Sequence, residues 1–221
     1  MIEILILSLI QGITEFLPIS SSSHLILMSE YLEFKDQSLS IDVSLHIGSF
    51  IAVIVYFYKD IKEFFNDRII FYKIIVSSLP VMFAGFFLVE SGLIDKIRNI
   101  EIIAWTTIIF GILLYISDKF KTKNTIKNNF DYKAVLFIGL LQILSLVPGV
   151  SRSGIAITAA RFLNFKRTDS AKISFLISVP ILGAVTIFGC KNLIFSESVE
   201  FTKLNLVSVI ISFIFSYLTI K

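Results

Sequence analysis

Residues 11–25 read QGITEFLPISSSSHL, and residues 146–158 read LVPGVSRSGIAIT. Each stretch cuts short an apolar run, Ile2–Leu17 in the first case and Ala134–Val147 in the second, and each does so at a proline, Pro18 or Pro148. Proline lacks the helix donor and its ring clashes with the preceding turn, while consecutive serines favour caps and turns over a helix interior. A second short apolar piece follows in both places, Leu25–Met28 and Ile155–Phe162. The pattern predicts two re-entrant helical hairpins with their tips inside a membrane. Irregular backbone is tolerated at that depth only where protein buries it or a cavity hydrates it.

The surrounding composition supplies the membrane. Of 221 residues, 55% are apolar and 22 are Phe; only 17% are charged, against about 25% in a soluble domain. Mean hydropathy is +0.84. These values exclude a soluble domain, a disordered chain and a nucleic-acid binder, despite a pI of 8.9. One cysteine, Cys190, excludes a disulfide framework and a thiolate zinc site. The N-terminus has no basic region and only Glu3 as an early charge, so the first segment reads as mature protein and not as a signal peptide. A membrane helix needs about 20 mostly apolar residues. Five further stretches qualify: Val43–Tyr58, Ile69–Val89, Ile102–Ser117, Ile173–Gly189 and Leu204–Ile220. The expected fold is an all-α integral membrane protein, one domain over residues 1–221.

Loop charge orients it. Segments 59–73, 118–133 and 161–172 carry 4, 5 and 4 Lys/Arg, whereas 30–42, 90–101 and 191–203 carry 1, 2 and 2. The positive-inside rule places the first set in the cytoplasm. The five spans then alternate without remainder, the first hairpin entering from outside and the second from inside. Once loop and terminal charges are set aside, Glu15 and Arg152 are left, one in each hairpin. Charges at membrane depth cost several kcal/mol, so they mark function and come with partners. The bland alternative is a structural ion pair.

Sliding the chain by 130 residues lays Pro18 on Pro148, Ser21 on Ser151 and Ser23 on Ser153. Ser44 then meets Ser174, and Ile47 meets Ile177. The hairpin followed by two spans therefore occurs twice, in opposite orientations. Such inverted repeats place their sites near the midplane, where broken helices meet. The first copy covers about residues 1–118 and the second about 134–221, with a cytoplasmic loop over about 118–133 between them. Ile102–Ser117 has no counterpart in the second copy, so a final span was lost or the sequence stops before it.

The tips carry chemistry. New helices can start within Ser20–His24 and within Val150–Gly154. Serine is a favoured N-cap, and helix N-termini present free N–H groups and a positive dipole end. Two such ends make an anion site suited to phosphate. Arg152 adds a planar fork for phosphate oxygens, and Gly149 and Gly154 allow close backbone approach. Ser20, Ser151 and Ser153 are further phosphate contacts. Opposite lies a helix face with Ser8, Gln11 and Glu15 at spacings of three and four. Ser8 reads as a helix–helix hydrogen bond. Gln11 and Glu15 can hold a divalent cation that bridges to phosphate, or Glu15 can accept a proton. His24 can be nucleophile, general acid or donor. Of the serines, Ser21 is the best nucleophile candidate because the repeat pairs it with Ser151. His46, four residues after Asp42, reads as a helix-end histidine paired with a loop carboxylate.

Both signature stretches, together with IDVSLHIGSFIAVIVYF (41–57) and SFLISVP (174–180), resemble the undecaprenyl-diphosphatase (bacitracin-resistance protein) family over nearly the whole chain. The family pattern of Glu or Gln followed four residues later by Glu falls on Gln11 and Glu15. Its first-tip Ser and His fall on Ser21 and His24. Its Pro-Gly-x-Ser-Arg-Ser-x-x-Thr motif falls on Pro148, Gly149, Ser151, Arg152 and Ser153. Three departures stand out. Ala156 replaces the motif's last Thr, with Thr158 nearby; Ser23 replaces a Gly; and the family's last span has no counterpart. The resemblance implies a bacterial inner-membrane enzyme that hydrolyses undecaprenyl diphosphate to undecaprenyl phosphate and phosphate, recycling the lipid carrier of cell-wall synthesis. It also implies a polyprenyl diphosphate substrate held among membrane lipid, a divalent cation (Mg²⁺ or Ca²⁺), no nucleic-acid partner, and a homodimer. The nucleophile stays open between Ser21, His24 and water.

Two rivals bear on this reading. A secondary transporter or lipid flippase would use the same broken helices and anion site. A type-2 phosphatidic acid phosphatase would need a histidine after its Ser-Arg element, and no His follows His46 here.

Overall fold

The computed structural model describes residues 1–34, 38–93, 97–194 and 199–221, and leaves the side chains of residues 39, 60 and 188–202 undescribed. The side chain of Cys190 and parts of the loops 30–42, 90–101 and 191–203 thus lie outside the described residues. Among the described residues the chain is all-helical, without strands; only an isolated bridge joins Asn124 and Phe165.

The helices are α1 (Ile2–Thr14), α2 (Ser21–Tyr31), α3 (Leu39–Tyr56), α4 (Tyr58–Asn66), α5 (Arg68–Glu90), α6 (Ile100–Asp118), α7 (Ile126–Asn129), α8 (Tyr132–Gln142), α9 (Arg152–Phe162), α10 (Arg167–Ile194) and α11 (Val199–Ile220). Short polar side chains start several of them. Ser38, Asp67, Asn99, Asp131 and Ser151 each accept a hydrogen bond from a first-turn backbone N–H of α3, α5, α6, α8 and α9. α1 ends before Pro18 and α2 begins at Ser21; α8 tightens into a 3₁₀ turn over Ile143–Leu146 before Pro148, and α9 begins at Arg152. Both helix breaks fall where the prolines require them.

Four helical segments are long and apolar enough to cross a membrane: Arg68–Glu90, Ile100–Asp118, Arg167–Ile187 and Lys203–Ile220. The chain is a multi-pass membrane protein by this measure. The fifth expected span, Val43–Tyr58, falls in α3, whose apolar part, Ser40–Tyr56, is shorter. The helix ends there because Phe57 leaves the helical conformation and charged α4 follows. Outward-facing Phe83, Phe86, Phe87, Trp105 and Ile112 give α5 and α6 apolar surfaces suited to lipid.

The fold divides into two compact units, and each draws on both halves of the chain. One comprises Met1–Phe16, Ser21–Glu63 and Leu182–Lys221. Within it α11 packs along α3 and against α1. The approach is close: a Cβ on Gly48 would sit 2.8 Å from Phe213 N, and one on Gly12 would sit 2.7 Å from Phe215 Cβ. Asn205, Ser208, Ser212 and Ser216 recur along α11 as one buried polar face. Ser44 Oγ bonds Asn205 Oδ1 at 3.0 Å, and Ser212 Oγ bonds the Leu45 carbonyl at 2.7 Å. Lipid gives no hydrophobic drive for helices to pair, so small residues and such hydrogen bonds hold them together.

The other unit comprises Leu17–Ser20 and Phe64–Ile181. Its core gathers Ile74 and Val81 of α5, Val135 and Ile138 of α8, Ala159 and Ala160 of α9, and Ile173 and Ile177 of α10. α8 meets α5 through Gly139, where a Cβ would lie 2.5 Å from the Ser77 carbonyl oxygen.

One reading of the charges needs correction. Arg161 was counted with the cytoplasmic loop, but α9 runs to Phe162 and buries it, at 1% exposure. Its guanidinium donates to the carbonyls of Asp118, Phe120 and Phe165. Arg152 is therefore not the one arginine drawn inside. The carbonyls at the end of α6 and the start of the following loop supply the compensating partial charge.

Candidate active site

In the first unit α1 carries Gln11 one turn before Glu15, which is the C-cap residue of that helix. The negative end of a helix dipole is a poor place for a carboxylate, and the Glu15 side chain is only 3% exposed. Two donors, Gln11 Nε2 and Ser21 Oγ, make up the difference at one oxygen. Glu15 Oε2 receives Gln11 Nε2 at 3.0 Å and Ser21 Oγ at 2.8 Å, and His46 Nδ1 lies 3.3 Å away. The turn between α1 and α2 brings Ser21 back over the end of α1. The structure thus brings Gln11, Glu15 and Ser21 together. A serine hydroxyl bonded to a buried carboxylate is an arrangement in which the carboxylate can take the serine's proton.

His46 stands differently from its sequence reading. It lies inside α3 and faces α1, with Nδ1 2.9 Å from Gln11 Nε2. Its neighbour at i−4, Asp42, was visible in the sequence; a partner 35 residues away was not. Ser49, one turn further along α3, also meets Gln11 Nε2, at 3.3 Å, and is itself held by Ser212 and Ser216 of α11. Sequence reasoning passed over these three serines. The recurrence of Asn205, Ser208, Ser212 and Ser216 at helical spacing was the available signal. Ser8, expected to bond a neighbouring helix, is buried with no hydrogen-bond partner among the described residues. His24 is exposed on α2.

In the second unit Ser151 caps α9, its Oγ accepting from Gly154 N at 3.1 Å. Ser153 Oγ lies 3.0 Å from Ser151 Oγ and donates to the Leu17 carbonyl at 2.9 Å. The segment Leu17–Ser20, which holds Pro18 and the buried Ser20, thus meets the start of α9. A Cβ on Gly154 would lie 3.3 Å from the Pro18 carbonyl. Gly149 has φ +95, in the left-handed region, and presses on Thr106 of α6, whose hydroxyl donates to the Pro148 carbonyl at 2.6 Å. Arg152 opens the first turn of α9 and is partly buried. Thr158 is buried and gives its proton to the Gly154 carbonyl at 2.8 Å, so as placed it can only accept from a ligand. The start of α9 therefore gathers an arginine, two serines and the N-terminal end of a helix, a setting that suits an anion.

A divalent cation needs oxygen donors. No group of three or more His, Cys, Asp or Glu suited to a metal occurs among the described residues. Gln11 Oε1, however, is buried and without a hydrogen-bond partner among the described residues. That amide oxygen and the Glu15 carboxylate fit a cation as two donors of a larger set.

Comparison with known proteins gives one consistent result. The profile of the family described as bacitracin resistance protein BacA matches residues 4–221. A protein of Pelagibacter ubique (strain HTCC1062) named undecaprenyl-diphosphatase is 48% identical over 221 residues, covering 100% of this chain and 86% of the relative. Proteins of the same name from Jannaschia sp. (strain CCS1) and Alcanivorax borkumensis are 37% and 38% identical over 222 and 231 residues. These alignments cover 95% and 99% of this chain, and 83% and 87% of the relatives.

Proposed function

This chain belongs to the bacitracin resistance protein family, BacA, and from that premise we propose that it hydrolyses undecaprenyl diphosphate to undecaprenyl phosphate and inorganic phosphate. The setting is the bacterial inner membrane, and the product is the lipid carrier of cell-wall synthesis. The observation that carries the proposal is the Ser21 hydroxyl bonded at 2.8 Å to a carboxylate that is almost fully buried.

Ser21 is the nucleophile this geometry favours over His24 and water. Its Oγ attacks the terminal phosphorus while its proton passes to Glu15, and the bond between that phosphorus and the bridging oxygen breaks. Undecaprenyl phosphate leaves with the bridging oxygen. Water then attacks the phosphoserine, which releases inorganic phosphate and restores the serine. Arg152 and the N-terminal end of α9, with Ser151, Ser153, Gly149 and Ser20 around them, hold the phosphates and stabilise the charge on the transferring group. Thr158 accepts at the rim of this turn. His24, at the start of α2, is the donor for the leaving or attacking oxygen. Gln11 and Glu15 are the residues that would hold Mg²⁺ or Ca²⁺, which when bound neutralises charge on the diphosphate oxygens.

The inverted repeat and re-entrant hairpins belong to the same proposal. Within one unit α1 packs on α11, and within the other α8 packs on α5. Each hairpin's entering helix thus lies against the second span of the other copy, with a glycine at the contact, Gly12 or Gly139. A homodimer completes the reading, and crosslinking in native membranes tests it.

The deciding experiment incubates the detergent-solubilised protein with a prenyl diphosphate, with and without chelator, and measures free phosphate. The enzyme releases it. Glu15→Gln and Arg152→Ala lose release by about 10²-fold or more while staying folded. A wild-type protein that binds the lipid but releases no phosphate is instead the transporter or flippase.

A further inference from the structure

The Gln11 amide has more partners than hydrogens. Its nitrogen carries two hydrogens, yet Glu15 Oε2 at 3.0 Å, His46 Nδ1 at 2.9 Å and Ser49 Oγ at 3.3 Å all lie within reach. The two shorter contacts take the hydrogens. Ser49 is already served: it donates to the Leu45 carbonyl at 3.2 Å and receives the Ser216 hydroxyl at 2.9 Å. Turning the amide over would set its oxygen 3.0 Å from Glu15 Oε2 and lose the hydrogen bond that the nitrogen makes there. The nitrogen must therefore face Glu15 and His46. The oxygen is left on the other side, buried and without a partner among the described residues.

For His46 to accept at Nδ1, its hydrogen must sit on Nε2. One imidazole lone pair thus settles which way the amide points, and with it the donor count on the carboxylate that serves Ser21. We propose that His46 is a positioning residue for the reaction. Its Nδ1, 2.9 Å from Gln11 Nε2, holds the amide nitrogen on Glu15 and keeps Gln11 Oε1 directed as an acceptor for a bound donor or cation. Ser49, fixed by Ser212 and Ser216 of α11, packs beside the same amide at 3.3 Å. The inference deepens the hydrolase reading and rests on it.

The test is a double-mutant cycle on phosphate release from a prenyl diphosphate by the full chain in detergent. His46→Leu, which cannot accept, lowers kcat by about tenfold to hundredfold, the range expected when a reacting group is mispositioned, with less change in KM. His46→Gln, which offers an amide oxygen as acceptor, recovers most of that loss. In a Gln11→Leu background, His46→Leu costs little more, because its target is already gone. Thermal unfolding in detergent shows that each variant is folded. If the losses from His46→Leu and Gln11→Leu multiply independently, or if His46→Gln is as poor as His46→Leu, the proposal is overturned while the hydrolase stands. If the wild type releases no phosphate, the hydrolase reading falls and this inference falls with it. A destabilised His46→Leu is replaced by His46→Phe, which keeps a ring but likewise cannot accept, and must lose its effect in the Gln11→Leu background.

Discussion

At the scale of single residues, the sequence disclosed the site's chemistry better than its wiring. Gln11 and Glu15 announce themselves by spacing, and Ser21 by its place after Pro18. His46 was misread because a sequence shows neighbours at i−4 and hides partners brought in by another helix. Arg161 was misread for a related reason: counting loop charges cannot foretell that a helix will carry its last-turn arginine inward. Two outcomes follow here. Ser21→Ala removes the proposed nucleophile yet keeps α2, so phosphate release should fall by at least about 10³-fold, while the melting temperature in detergent moves little. Arg161→Met strips three backbone carbonyls of their shared donor; leaving buried acceptors unpaired destabilises by about 2 kcal/mol or more. Unfolding midpoints in detergent read that loss, and the surviving folded protein keeps its kcat.

At the scale of elements, Pro18 and Pro148 fixed where helices break, and the caps at Ser38, Asp67, Asn99, Asp131 and Ser151 fixed where they begin. The end of α3 was less legible, because Val43–Tyr58 is apolar throughout and nothing in its composition marks the turn at Phe57. Helix pairing was invisible too. Gly48 looks unremarkable in sequence, yet α11 runs so close that a side chain there meets the backbone at Val209 and Phe213. Gly48→Val should therefore separate α3 from α11, lower stability by about 1–3 kcal/mol and slow phosphate release through Ser49. Gly48→Ala should show the same signs at smaller size. Measuring the two variants side by side separates overpacking from loss of a hydrogen bond. In the second turn, Gly149→Ala combines a left-handed backbone with a clash on Thr106; phosphate release should be lost together with folded yield.

At the scale of the whole molecule, hydropathy and loop charge were enough to place the chain in a membrane, because both depend on sums over many residues and not on any one contact. They also make an orientation prediction. In a background with Cys190→Ser, single cysteines at Lys62 and Lys121 react with a membrane-impermeant thiol reagent only after the cytoplasmic side is opened, whereas cysteines at Glu33 and Gly92 react in intact cells. The reverse pattern would turn the hairpins over. What no sum could show is how the units are composed, since one of them joins segments from both ends of the chain. One such join has a consequence for biosynthesis. Gln11 leaves the ribosome well before Ser212 and Ser216, which hold Ser49 beside its amide. While the growing chain threads into the bilayer, α1 already carries its carboxylate and amide, but the helix that steadies them has yet to be made. The surroundings of Gln11 are thus complete only once α11 is made, and an intermediate stalled before α11 would expose an unsupported acidic group to lipid, a mark by which membrane quality control could recognise it.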